Sequence, residues 1–478
     1  MLPGVETLIT DRRSARFVPA SIANWFVVGY AQRGPIDGPV AITSMTQKEL
    51  VLGPRTPETA ILHDSLEAFI RTGGGAAYVS RVVGDGVAAA TIDADNATDD
   101  PTMTIRALTA GEWGNDIDVV IDLTGSTFTL SVEYSGEEVE LSPALSSVAE
   151  AVAWAEQSSD YIRIVDLDDG LPKDQTVSLA GGDADLSSVD GDNIQAALDR
   201  FPLSLGAGQV SAPGMTTTAT QELVMAHAEA NRRVALLDAP DTDDVSALST
   251  YATTLRAKAG RRFSAPFWPW AVIPGLTIGT TRDVPYSAIQ AGLTARANAL
   301  GKTAGDPVAG VLGSTDYPLG LTQDPLTDAD RETVNDLGLN VAITYLNEVR
   351  TYGNRTLANP ITEKNWAQLS QSRVVASIAA IAEEVGQDFF ERKLDGRGFT
   401  IADFGKEIEG RACMPAFLAG DLYGDTAPEA FIVNVGADVN TPSDVADGKL
   451  RAAIELQTSP GADKVTIEIV KVPTGEGL

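Results

Sequence analysis

Asn24–Tyr30 reads NWFVVGY, with four bulky apolar side chains in succession (Trp25, Phe26, Val27, Val28) closed by Gly29. A short unbroken apolar run is the pattern of a strand covered on both faces, as in a parallel sheet; a half-exposed strand would alternate. Downstream, Pro57–Thr72 sets Ile61, Leu62, Leu66, Phe69 and Ile70 at spacings of three and four, which predicts a helix with one apolar face. Gly73-Gly74-Gly75 closes that helix, and Ala76–Val83 reads as a second buried strand. Strand, helix, strand in this order is the local signature of an α/β layer.

Further along, the pattern and the charge both change. Between Met103 and Tyr134 apolar and polar residues alternate (Ile117, Val119, Ile121 against Asp118, Val120, Asp122), with Gly125 and Gly136 at turns, which predicts an all-β unit. Residues 91–210 carry four basic against 24 acidic residues, most of a whole-chain net charge of −31. Such a segment would meet strong like-charge repulsion inside a crowded interface, so it is expected to face solvent as an insertion. Past it the α/β pattern returns: helix over Gln221–Asn231, strand over Arg233–Leu237 and helix over Val245–Ala259. Trp366, Leu369, Val374, Ile378, Ile381, Val385 and Phe389 then draw one apolar stripe, predicting a long helix over Trp366–Leu394. A helix near Ile401–Leu418 and strands over Ala430–Val435, Leu450–Gln457 and Lys464–Val472 finish the chain. The domain boundaries expected from these shifts are 1–20, an extended arm; 21–90, α/β; 91–200, acidic and β-rich; 201–345, α/β; and 346–478, with the long helix.

Composition and motifs exclude several kinds of chemistry. With 478 residues, 44% of them hydrophobic, the chain has the apolar material for several packed cores. Its acidity repels a phosphate backbone, so no nucleic-acid partner is expected. One cysteine, Cys413, allows neither an internal disulfide nor a multi-cysteine zinc site. Charged Asp11, Arg12 and Arg13 arrive before any apolar run of signal-peptide length. Phe263–Thr281 lacks charge but holds Pro266, Pro269 and Pro274, so it reads as buried strand and loop, and no membrane insertion is expected. The two histidines, His63 and His227, sit in helical patterns, and no serine lies in a GxSxG frame. Gly301-Lys302-Thr303 has Arg296 where a phosphate loop needs its first glycine. Asp93, Asp95, Asp99 and Asp100 lack the glycine and closing glutamate of a calcium loop, Thr98 and Thr104 standing there. No catalytic residue, cofactor or metal is expected.

What remains is a series of glycine and proline turns with no chemical task. Pro3-Gly4-Val5, Val27-Val28-Gly29, Arg33-Gly34-Pro35, Pro39-Val40, Thr43-Ser44, Gly73–Val82, Gly111-Glu112-Trp113-Gly114-Asn115, Leu179–Asp183 and Ala212-Pro213-Gly214 form its first part. Leu236-Leu237-Asp238, Trp268-Pro269-Trp270, Gly338-Leu339-Asn340 and Tyr352–Leu357 continue it. In order and spacing the series resembles the contractile tail sheath proteins of bacteriophages over nearly the whole chain. It departs from that family at Val284-Pro285-Tyr286-Ser287-Ala288, where a second proline and a glycine are common.

The resemblance implies a multidomain α/β and α+β fold. Its discontinuous core would be built from both chain ends, with an inserted β-rich domain and an inserted α/β domain of subtilisin-like fold. It implies a non-enzymatic subunit that polymerises helically, as hexameric rings, around a tail tube, bounded by baseplate and tail terminator proteins. Such a subunit is assembled in the host cytoplasm and carried in the virion, and it contracts to drive the tube through the host envelope for genome ejection. Pro3, Gly4 and Val5 at one end, and Val465, Ile467 and Ile469 at the other, would add strands to neighbouring subunits. Lys364, Arg373, Arg392, Lys393 and Arg397, on or beside the long helix, would face the tube; the plainer reading of the same residues is solvated helix-surface charge with i,i+4 pairs such as Asp388 with Arg392. A sheath-like component of a bacterial injection system, a static capsid or baseplate scaffold, and a hydrolase on the middle domain are the alternatives.

Overall fold

The computed structural model describes residues 23–167 and 170–463. Its centre is a nine-stranded sheet. In spatial order the strands are Ser314–Thr315, Glu348–Thr351, Asn340–Tyr345, Ser264–Trp268, Arg233–Asp238, Gly208–Ser211, Trp25–Gly29, Ala77–Arg81 and Val40–Ile42. The six from Asn340–Tyr345 to Ala77–Arg81 pair in parallel, and the outer ones are antiparallel. Trp25, Phe26, Val27 and Val28 are wholly buried in mid-sheet, as the apolar run predicts, and Trp25 Nε1 donates to Ser211 Oγ at 2.8 Å.

Each face of the sheet has its own core. Trp25 and Val27 point to one, shared with the helices Ala60–Arg71 and Tyr286–Ala299. Phe26 and Val28 point to the other, shared with Gly191–Asp199, Thr218–Ala230 and Val245–Arg256. Alternation of side chains along one strand therefore sorts its residues between two layers. The tight return after Ala60–Arg71 needs its glycines: Gly73 has φ 113, and a Cβ on Gly74 would lie 2.3 Å from the Phe69 ring.

The acidic insertion is a separate unit. Two antiparallel sheets, one of three strands and one of four, close around Met103, Ile105, Trp113, Ile117, Val119, Phe128 and Leu130. The unit also contains a helix, Val148–Ser158, capped by Ser147, beyond the Met103–Tyr134 stretch whose alternation predicts strands. Its chain enters and leaves side by side, Ala88 and Asp183 exchanging backbone bonds of 2.9 and 3.0 Å. Arg33 is held between the Trp113 ring at 4.8 Å and the Tyr161 ring at 5.0 Å, and buried Arg81 donates to the carbonyls of Ala31 and Ala110. Gly191–Asp199, counted by sequence with the acidic unit, instead buries Ile194, Ala197 and Leu198 against the central sheet.

The C-terminal part has a fourth core, of Val374, Ile378, Ile381, Val385, Phe389, Phe404, Ile408 and Phe431. The long helix spans Leu369–Phe389, shorter than predicted: Trp366 falls in the 3-10 turn Lys364–Trp366, and the helix ends before Leu394. A helix Phe399–Ile408 runs through the π turn Glu409–Cys413 into Met414–Leu418, and Phe431–Asn434 pairs antiparallel with Ala453–Leu456. The expected strand Lys464–Val472 lies outside the described residues. Among the described residues the two chain ends meet in the sheet layer: Val349 and Leu369 of the C-terminal segment lie in the same core as Trp25, Val27 and Leu66, while a further core, from Val374 to Phe431, belongs mostly to the C-terminal segment.

Candidate functional site

Among the described residues both histidines, the cysteine and Asp238 are buried. His63 is fully buried with neither ring nitrogen bonded, and burial, with Lys48 nearby, pushes it down to about 4. His227 is also buried: its Nε2 faces Arg233 Nη1 at 2.8 Å, and burial holds it at about 4 as well. Asp238, at the end of a central strand, accepts from Ser287 N at 2.8 Å and Ser287 Oγ at 2.7 Å; burial pushes its carboxyl up to about 6. That serine and carboxylate form a helix-end clamp with no imidazole bonded to either. Cys413 is buried and its thiol pushed up to about 11, the opposite of an activated nucleophile. Gly301-Lys302-Thr303 follows the end of the helix Tyr286–Ala299, where a phosphate would meet carbonyls and not N–H groups. Among the described residues no cluster of three or more His, Cys, Asp or Glu could hold a metal, and no helix is long and apolar enough to cross a membrane.

A charge cluster is also internal. Asp64, nearly buried, receives Arg55 and Arg282, and Arg282 reaches Glu67 at 2.9 Å. This ties the helix Ala60–Arg71 to the hairpin of Ala271–Pro274 and Thr281–Val284, a stapling role.

The basic residues expected on the long helix divide. Arg373 is corrected: it is 3% exposed in the first turns, its Nη2 reaches Thr303 O at 3.4 Å, and burial brings it down to about 10. Leu369 to Val374 are all buried, because this end of the helix enters the sheet layer and is covered on every side. Arg373 therefore cannot face a partner. Arg392, Lys393 and Arg397 are exposed in the connection that follows the helix. Asp395 organises it by accepting the N–H groups of Arg397, Phe399 and Thr400, above all Thr400, which hold its carboxyl down at about 2. Arg392 lies over the Phe389 ring at 4.1 Å, and Phe390 and Phe399 are exposed beside these cations. Arg392 does not pair with Asp388, which goes to Arg411 at 2.6 Å. Lys364 is exposed before the other end of the helix, about 30 Å away at 1.5 Å per residue. The five residues thus form no single patch. Sequence reasoning missed Phe390 and Phe399, whose exposed rings beside cations are the visible signal. Pro3, Gly4, Val5, Val465, Ile467 and Ile469 lie outside the described residues.

No family model and no curated protein matches the chain by sequence. Solved structures do match. The sheath tail protein of Listeria innocua superposes with a TM-score of 0.62 at 13% identity, over 88% of this chain and 90% of that one. That of Desulfitobacterium hafniense gives 0.58 at 13%, over 90% and 93%. The anti-feeding prophage helical sheath in its contracted state gives 0.56 at 13%, over 98% and 99%. The chain has the fold of the contractile tail sheath proteins.

Proposed function

We propose that the chain is a structural subunit of a contractile sheath, polymerising helically around a rigid tube and shortening to drive that tube through a cell envelope. The observation that carries this is the whole-chain match to a contracted helical sheath, which extends through the acidic insertion and the C-terminal core. A mechanical role also accounts for a cysteine and two histidines that are all buried. The primary reading is a phage tail, with genome ejection as its purpose, a tail tube, baseplate and tail terminator as partners, hexameric rings, and the virion as its place. A sheath of a bacterial injection system is the second reading, favoured by the 98% coverage on the anti-feeding prophage sheath against 88% and 90% on the two sheath tail proteins. In either case the acidic unit faces outward, the subtilisin-like α/β unit lies under it, and the terminal segments 1–20 and from Val465 onward link subunits by strand addition.

Electron microscopy of the concentrated purified protein tests the reading: discs or striated tubes are expected, and a strict monomer at every concentration and salt would overturn it. Of the residues expected to face the tube, Lys364, Arg392, Lys393 and Arg397 are exposed. Reversing Arg392, Lys393 and Arg397 together should leave thermal stability unchanged, since exposed ion pairs contribute about 0–1 kcal/mol each, while weakening co-sedimentation with the cognate tube at low salt. Unaltered co-sedimentation would move the inner face elsewhere.

A further inference from the structure

Gln368 occupies the N-cap of the long helix, a position that favours Ser, Thr, Asp or Asn because a short side chain can reach back to the free N–H groups. It makes no capping bond. Its carboxamide, only 6% exposed, turns to the other end of the chain: Nε2 donates to Gly461 O at 3.0 Å, and Oε1 accepts from Gly461 N at 2.7 Å. One side chain thereby imitates a strand neighbour and satisfies both backbone groups of Gly461.

Gln368 is itself bolted to the segment after the sheet strand Glu348–Thr351, which Asn340 of the neighbouring strand holds by accepting from Arg355 N and donating to Arg355 O. It bridges Arg355, with Thr356 N donating to Ala367 O at 3.0 Å and Leu369 N to Asn354 O at 2.9 Å. Asn354 completes the joint by donating to Ser370 Oγ at 2.9 Å and accepting from Ser370 N. From the same joint Arg355 reaches Asp463 at 3.2 Å. The segment 457–463 is also tied to the C-terminal core, Tyr423 N donating to Gln457 O and Ser459 N to Asp421 O. Beneath it lies a groove of about 920 Å³, flanked by Trp366 and Tyr423, so the segment is held by discrete polar points and not by continuous packing.

We propose that Gln368 and Arg355 are positioning residues for the C-terminal linkage: they fix the segment 461–463, at the root of that linkage, against the body. A load on that segment then passes into the nine-stranded sheet as well as into the two-stranded Phe431–Asn434/Ala453–Leu456 sheet. This rests on the sheath reading for its assembly consequence, while the clamp itself is testable on the unassembled protein.

Two measurements on the full chain separate these. In unassembled Gln368→Ala, hydrogen exchange at the Gly461 amide should quicken about tenfold, the factor set by losing a hydrogen bond of ordinary net worth, with the long helix still protected. Gln368→Glu keeps the acceptor but not the donor and should fall between, which guards against a variant that misfolds. In assembly, Gln368→Ala with Arg355→Ala should give about tenfold fewer tubes by sedimentation at an unchanged Tm. Unchanged Gly461 exchange, or tubes of wild-type yield and spacing from the double variant, would overturn the proposal. Wild-type protein that forms no tubes would sink the sheath reading instead, and Gly461 exchange alone would then decide the clamp.

Discussion

His63 is fully enclosed, with no partner on either nitrogen and with Lys48, Asp64 and Arg55 the charged groups nearest in effect. Its folded pKa, about 4, lies below the unfolded value near 6.5. Above about pH 6.5 neither state is protonated; as pH falls below it the unfolded chain takes up a proton that the folded chain refuses, so stability is lost between about 6.5 and 4. The loss amounts to about 2 kcal/mol at pH 5. Asp238 opposes it: its carboxyl, raised to about 6, takes up a proton in the folded state before the unfolded one does, adding stability as pH falls from about 6 to 4. His63→Leu should therefore leave urea stability near pH 7.5 close to wild type or above it, and raise it at pH 5 by about 2 kcal/mol. Equal pH dependence in both proteins would mean that the imidazole finds a bond in solution. His227→Ala should behave differently, destabilising near pH 7.5 because it strips Arg233 of one partner while the guanidinium stays buried over the Phe26 ring at 3.7 Å, and less so at pH 5, where removing its own depressed titration offsets part of that cost.

Among elements, the helix Leu369–Phe389 joins two cores, Leu369 lying in the sheet layer while Ile378, Ile381, Val385 and Phe389 build the C-terminal one. Its second half was legible in the sequence because one face is buried and the other is not. Its first turns were not, because burial on every side erases periodicity and lets Arg373 pass for a surface cation. The helix Tyr286–Ala299 escaped notice for the same reason, every residue from Tyr286 to Ala295 being buried. NWFVVGY was legible because a mid-sheet parallel strand needs apolar residues on both faces. The candidate surface was legible only in charge, since exposure depends on where the helix ends. Phe389→Ala removes a ring packed on Phe404 at 5.2 Å and should cost about 3–5 kcal/mol. Calorimetry should show the C-terminal core melting early while the sheet layer keeps its transition; a single shifted transition would mean that the helix couples both cores into one unit.

For the whole molecule, the acidic unit is attached where Ala88 and Asp183 already sit side by side, so a short glycine link can replace residues 89–182 without moving the sheet. Excision takes from Arg81 its bond to Ala110 O but leaves that to Ala31 O, and takes from Arg33 its two rings. The lost Arg81 bond alone should cost about 1.5–3 kcal/mol, with the loss of the Arg33 rings and of the bonds from Gly34 N and Ala184 N added to it, leaving a cooperative fold. It also removes 19 acidic and three basic residues. If these units crowd one another on the outside of a helical sleeve, wild-type assembly opposes their mutual repulsion and should strengthen with salt as the screening length falls from about 10 Å at 0.1 M to about 3 Å at 1 M. The excised protein, relieved of that repulsion, should assemble at lower salt and respond weakly to more. Light scattering across a sodium chloride series distinguishes the cases: parallel curves for the two proteins would show that the acidic units do not approach one another in the assembly, and the outward-facing placement would have to be abandoned.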